Sequence, residues 1–138
     1  MAPLELSLKA GATAPGRARD AVRGWLTQRT CEDTVVDTAT LLVTELVTNA
    51  VLHASGSGLA LSIDETVPDV MHVAVCDGSR RSPRPPKALP GEAQTGGRGL
   101  WLVEALASRW GWEPMNNGKR VWFELGCRVV AERPLAVP

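Results

Sequence analysis

The stretch TELVTNAVLHA, residues 44–54, reads as the end of an apolar helix, yet Glu45, Asn49 and His53 recur in it at every fourth position. With about 100° of rotation per residue and Glu45 set at zero, Asn49 falls at about 40° and His53 at about 80°. Ala39, Val43, Leu46, Val47, Ala50 and Ala54 cluster between about 100° and 200° on the same wheel. The three polar residues therefore form a seam along the edge of a buried face. Two readings are open at this point. The seam is a solvated polar edge, or it is a wall that serves a magnesium nucleotide, with the amide oxygen of Asn49 as a hard ligand and the Glu45 carboxylate holding a water or accepting a hydroxyl proton.

The helix carrying the seam is predicted over 34–54, where its broad apolar side makes it the central helix of the fold. A Ser-Gly-Ser-Gly run at 55–58 stops it. Before it, Leu4, Leu6 and Leu8 alternate with polar residues as in a half-buried strand, closed by Gly11 and Pro15. Pro15 suits a first helical turn, and Ala18, Ala21, Val22 and Trp25 follow at three- and four-residue spacing, which predicts a helix over 15–28. After it, Leu59, Leu61 and Ile63 alternate, then Met71, Val73 and Val75, giving a hairpin turned over 64–69. Leu100, Leu102, Val103, Leu106 and Ala107 predict a helix to about Ser108. Trp110 and Trp112 start a last hairpin, turned at Asn116-Asn117-Gly118 and returning through residues 121–125.

This order predicts a two-layer α+β sandwich, with a mixed, mainly antiparallel sheet and the helices on one face. At 138 residues, one domain over 1–130 with a frayed tail at 131–138 accounts for the chain. Lys plus Arg and Asp plus Glu both number 15, so no bulk basic field argues for nucleic acid or an anionic membrane as partner. Cys31, Cys76 and Cys127 are odd in number and widely spaced, which fits reduced thiols rather than a disulfide framework or a zinc site. No secretory h-region and no run of about 18 apolar residues is present, so the expected location is cytoplasmic. Of the five tryptophans, most are expected in the core, and an exposed one would mark a partner surface.

Two further signals bear on chemistry. Asp77-Gly78 ends an apolar strand and leaves a carboxylate at the lip of the sheet, able to accept from an exocyclic amine such as that of adenine. Asp-Gly is also a frequent turn pair. Gly96, Gly97 and Gly99 stand directly before a helix, where the backbone can approach a ligand closely and the first N–H groups can meet an anion. A flexible hinge with no ligand explains them equally well. The proline-rich, basic segment 80–97 between these signals is long for a compact domain.

Taken in order, LLVTELVTNAVLHA, VCDG and GGRGLWLVEALASRWG followed by GKRVWFEL resemble the N box and the two glycine boxes of the GHKL ATP-binding superfamily of gyrase, MutL and histidine kinases. The resemblance covers 34–125 and is strongest to the anti-sigma-factor serine/threonine kinase branch, in particular its short actinobacterial-type regulators. It implies ATP and Mg²⁺ as cofactors. It implies that Asn49 ligates Mg²⁺, that Glu45 acts as base or water-orienting acid, and that Asp77 reads the adenine amine with Gly78 giving the ring room. Gly97, Arg98, Gly99 and Leu100 would face the phosphates, and 80–95 would be a lid.

The implied partners are an anti-anti-sigma protein of the STAS type, phosphorylated on serine or threonine, and a sigma factor. Homodimers occur in the branch, although no heptad or self-complementary strip marks an interface here. Two departures stand out. Ser79-Arg80-Arg81 crowd the place after Asp77-Gly78, and Lys119-Arg120 stand where relatives have a Thr or Ser supporting the adenine-binding carboxylate. Three functions stay open: a protein kinase, a nucleotide-sensing adaptor without transfer, and an interaction scaffold.

Overall fold

The computed structural model describes residues 3–29, 31–53, 58–79 and 97–127. The chain runs β1 (Leu4–Lys9), α1 (Ala14–Gln28), α2 (Asp33–His53), β2 (Gly58–Val67), β3 (Val70–Asp77), α3 (Gly97–Leu106), β4 (Arg109–Met115) and β5 (Gly118–Gly126). The expected lid, the Gly96 position, the turn after the central helix and the tail all lie outside the described residues.

The strands form one sheet in the order β1-β2-β3-β5-β4. Every pairing among the described strands is antiparallel. Because β4 returns to β5 as a hairpin on the far edge, β5 comes to lie beside β3 at the centre. That adjacency places the ends of β3 and β5 together.

Alternation decides which face is buried. Leu59, Leu61 and Ile63 of β2, Met71, Val73 and Val75 of β3, and Val121, Phe123 and Leu125 of β5 are all buried on the side that meets the helices. α2 packs between α1 and α3 and touches β3 and β5. By length and composition α2 would also pass for a membrane span, but half of its most apolar stretch is buried inside the protein, as befits a core helix. Two of its threonines are accommodated by bonding back to their own helix: Thr40 Oγ1 donates to the Asp37 carbonyl at 3.0 Å and Thr44 Oγ1 to the Thr40 carbonyl at 2.6 Å.

The first hairpin is tighter than the 64–69 turn expected. β2 continues to Val67 and the turn is made by Pro68 and Asp69, the latter at φ 64°. A register shift between Asp64 and Val67 absorbs one extra residue in β2. Side chains hold it: Asp64 Oδ1 accepts from the Glu65 N–H at 2.7 Å, and Glu65 Oε2 accepts from the Asp69 N–H at 2.7 Å. Glu65 in turn forms a bidentate pair with Arg29 after α1, whose second arm measures 2.8 Å from Nη2 to Oε2. Arg29 also lies over the Trp25 ring at 5.2 Å. The third helix ends at Leu106, two residues before the expected stop, because the Ser108 N–H turns to the Glu124 carbonyl at 2.8 Å and starts β4.

The tryptophans depart from expectation. Only Trp25 is fully buried; Trp112 is exposed and the other three are half-buried. Trp122 falls at an even position of β5, off the core row, and stacks on His72 across the opposite face of the sheet at 5.1 Å between centroids. The three cysteines are free thiols, as expected.

Candidate functional site

The site begins from two rows of alternating residues. Continuing the core row of β3 from Val73 and Val75 brings Asp77 onto the buried face, and continuing that of β5 back from Val121 brings Lys119 there as well. The sheet register makes Asp77 and Lys119 direct partners across β3 and β5. Both are buried, Lys119 to 2% exposure, and Lys119 Nζ lies 3.2 Å from Asp77 Oδ2 and 3.3 Å from Oδ1. Asp77 Oδ1 also accepts from the Ser79 N–H at 2.7 Å, an Asx turn that fixes the carboxylate at the strand end. Removing one partner of such a pair leaves an uncompensated buried charge, at a cost of roughly 3–5 kcal/mol.

The close approach of the two strands here depends on Gly118. A Cβ built on Gly118 would stand 1.8 Å from the Asp77 carbonyl oxygen, so the residue before Lys119 admits no side chain. The sequence reading assigned Gly118 only to the hairpin turn.

Around the Asp77–Lys119 pair lies a cavity of about 10 Å³, walled by Leu46, Asn49, Ala50 and His53 of α2, Val75 of β3, Leu100 of α3 and Val121 of β5. It holds about one water. Asn49 and His53, one helical turn apart, are thus both on the wall opposite the carboxylate. Asn49 is buried in this wall, and its amide oxygen is of the kind that binds a hard cation. His53, the third member of the seam, belongs to this wall as well. The four-residue repeat from Glu45 was the signal.

The other expected site residues distribute as follows. Glu45 is half-buried on α2, one turn before Asn49, and does not line the cavity. Gly78 is exposed just past Asp77. Gly97, Arg98 and Gly99 form the first turn of α3, and Leu100 directly after them is buried in the cavity wall. The Lys119-Arg120 pair divides. Lys119 turns inward to Asp77, while Arg120 turns to the opposite face, with Nη2 2.8 Å from His72 Nε2 and Nη1 3.3 Å from Glu113 Oε1.

The donor set suits a purine nucleotide with a hard cation. A carboxylate faces one end of the cavity, a carboxamide oxygen lines its side, and a glycine-opened helix begins at its edge. Among the described residues no three His, Cys, Asp or Glu side chains converge as a metal-holding group, so a cation here would draw on Asn49 and on ligand oxygens. Ligand pockets commonly measure roughly 300–1,000 Å³, so this cavity corresponds to only the innermost part of a nucleotide site.

Among the described residues, an antiparallel five-stranded sheet covered by three helices, with the central helix and central strand meeting at this wall, defines an α+β sandwich of the GHKL type. Residues 8–125 match the model of the histidine kinase-like ATPase domain, and the chain belongs to that family. Among solved structures it is similar to the crystal structure of the RsbU and RsbW domains of Rv1364c from Mycobacterium tuberculosis, with a TM-score of 0.67 and 20% sequence identity. That match covers 92% of this chain and 33% of the other, so the chain spans about a third of the neighbour's length. At this identity the likeness is one of fold. No curated protein matches the chain.

Proposed function

We propose that this chain is an ATP-binding regulatory domain of the anti-sigma-factor kinase type, which phosphorylates a serine or threonine of a STAS-domain partner and binds a sigma factor in the alternative state. The observation that carries the reading is the meeting of Asn49, Asp77 and the start of α3 at one wall, three elements far apart in sequence. Membership of an ATPase-domain family supports ATP as the ligand. The fold shared with a protein whose title names an RsbW domain supports the anti-sigma setting.

In this reading Asp77 accepts from the exocyclic amine of adenine, and the Asn49 amide oxygen takes one position on Mg²⁺. When bound, Mg²⁺ supplies neutralisation of phosphate charge. In the same reading Glu45, one turn along the same seam, takes the proton of an acceptor hydroxyl. Catalysis of this kind rests on positioning, and the rigid central helix provides it.

Incubation with γ-labelled ATP, Mg²⁺ and a panel of STAS-domain proteins tests the reading. Transfer of label to serine or threonine is expected, and no transfer across the panel contradicts the kinase. A second reading, a nucleotide-sensing adaptor that transfers nothing, draws on one observation: Glu45 is absent from the cavity wall. ATP binding without transfer would establish it in place of the first.

A further inference from the structure

We infer that Lys119 is a base-reading residue: together with Asp77 it forms a donor and acceptor pair that takes both the exocyclic amine and the ring N1 of adenine. The inference rests on the ATP reading above and extends it to a residue that departs from the family pattern.

Counting hydrogen-bonding capacity leads there. An ammonium carries three N–H donors, and a carboxylate offers about four lone-pair positions. Lys119 spends at most two donors on the two Asp77 oxygens, which lie 3.2 and 3.3 Å away. Asp77 Oδ1 is further occupied by the Ser79 N–H. At least one donor on Nζ and one acceptor position on Oδ2 therefore remain, side by side, at a cavity also lined by Val75, Val121, Leu100, Asn49 and His53. That donor and acceptor face a space the size of one water, and a ligand edge that presents an acceptor next to a donor can take the water's place. The N1 and exocyclic N–H₂ of adenine are such an edge.

The alternative role for a lysine in this place is a plug that competes with the base for Asp77. Lys119 is held against that role by its position. It lies in the core-facing row of β5, directly opposite Asp77 in register, with the backbone pinned by Gly118. Withdrawing it would strand both charges in the interior. Keeping the pair together and laying the base edge against it strands neither.

Calorimetric titration with MgATP and with Mg-1-deaza-ATP, which lacks only the N1 acceptor, tests the inference on the unaltered chain and on Lys119→Met. The unaltered chain is expected to bind 1-deaza-ATP roughly ten- to a hundredfold more weakly than ATP, the scale of one charge-assisted hydrogen bond. In Lys119→Met the two ligands should differ by less than about threefold, since the partner of N1 is gone. Equal affinities on the unaltered chain would overturn the role of Lys119 and leave ATP binding standing, and that arm needs no variant to fold. Tighter ATP binding by Lys119→Met would overturn it in favour of the plug. Failure of the unaltered chain to bind either adenine nucleotide would overturn the ATP reading itself and the inference with it.

Discussion

Asp77 and Lys119 carry opposite charges on the buried face of adjacent strands, and in hindsight both could be read from the sequence. Val73, Val75 and Asp77 share one period-2 row, and Lys119, Val121, Phe123 and Leu125 another. Each apolar row ends in a charge. What the sequence could not supply was that β5 lies beside β3, since β4 and α3 separate them along the chain. Without that adjacency Lys119 reads only as a departure from the Thr or Ser of the resembling family. Gly118 was hidden for the same reason, because its need for a bare Cα arises only where the two strands meet. Gly118→Ala is expected to destabilise the protein by about 3 kcal/mol or more through overpacking against the Asp77 backbone, as read from denaturant unfolding. A change below about 0.5 kcal/mol would contradict the close approach.

The helices and strands themselves were legible wherever apolar residues keep one period. α1 and α2 begin and end within a residue of the expected bounds, whereas β2 runs on past Ile63 to Val67 and β5 begins at Gly118, before Val121. The seam on α2 was also legible in its angles, although angles alone could not say which of its members meets a ligand. Asn49 and His53 reach the cavity and Glu45 does not line it. The hairpin between β2 and β3 was misjudged because its tightness comes from a distant partner: Arg29, 36 residues earlier, holds Glu65. That pairing, with the Asp69 N–H second, keeps the Glu65 carboxyl below the usual carboxylate range. A lowered folded value means that the contribution is complete above the ordinary value near 4.5 and is lost as pH falls through the folded one. Glu65→Gln should therefore lower Tm at pH 7 and lose less Tm than the parent between pH 7 and pH 3. Parallel Tm curves for the two proteins would count against the pairing.

Across the fold, one apolar cluster joins α1, α2 and α3 to the central strands, and the site lies at the end of that cluster rather than in a separate cleft. This explains why the site residues are so buried and why the core and the pocket share Leu46, Val75 and Val121. The cluster reaches the opposite end of β5 at Cys127, which is 0% exposed and whose thiol burial pushes up from 9.0 to about 11. A raised folded value stabilises below the unfolded one and is lost as pH climbs from about 9 toward about 11. A two-unit difference corresponds to roughly 3 kcal/mol at full ionisation. Between pH 8 and pH 10.5 the parent should thus lose about 2 kcal/mol more in urea unfolding than Cys127→Ala does. Equal losses would place Cys127 in contact with solvent.

The joining of α2 and β3 into one nucleotide wall is open to a single comparison: calorimetric titration of the unaltered chain, Asn49→Ala and Asp77→Asn with ATP in the presence and absence of Mg²⁺. Binding is expected to weaken about tenfold or more in both variants, the worth of one charged or metal-linked contact. In Asn49→Ala the dependence on Mg²⁺ should vanish as well. Equal affinity and equal Mg²⁺ dependence in all three proteins would contradict the assignment of this wall to ATP.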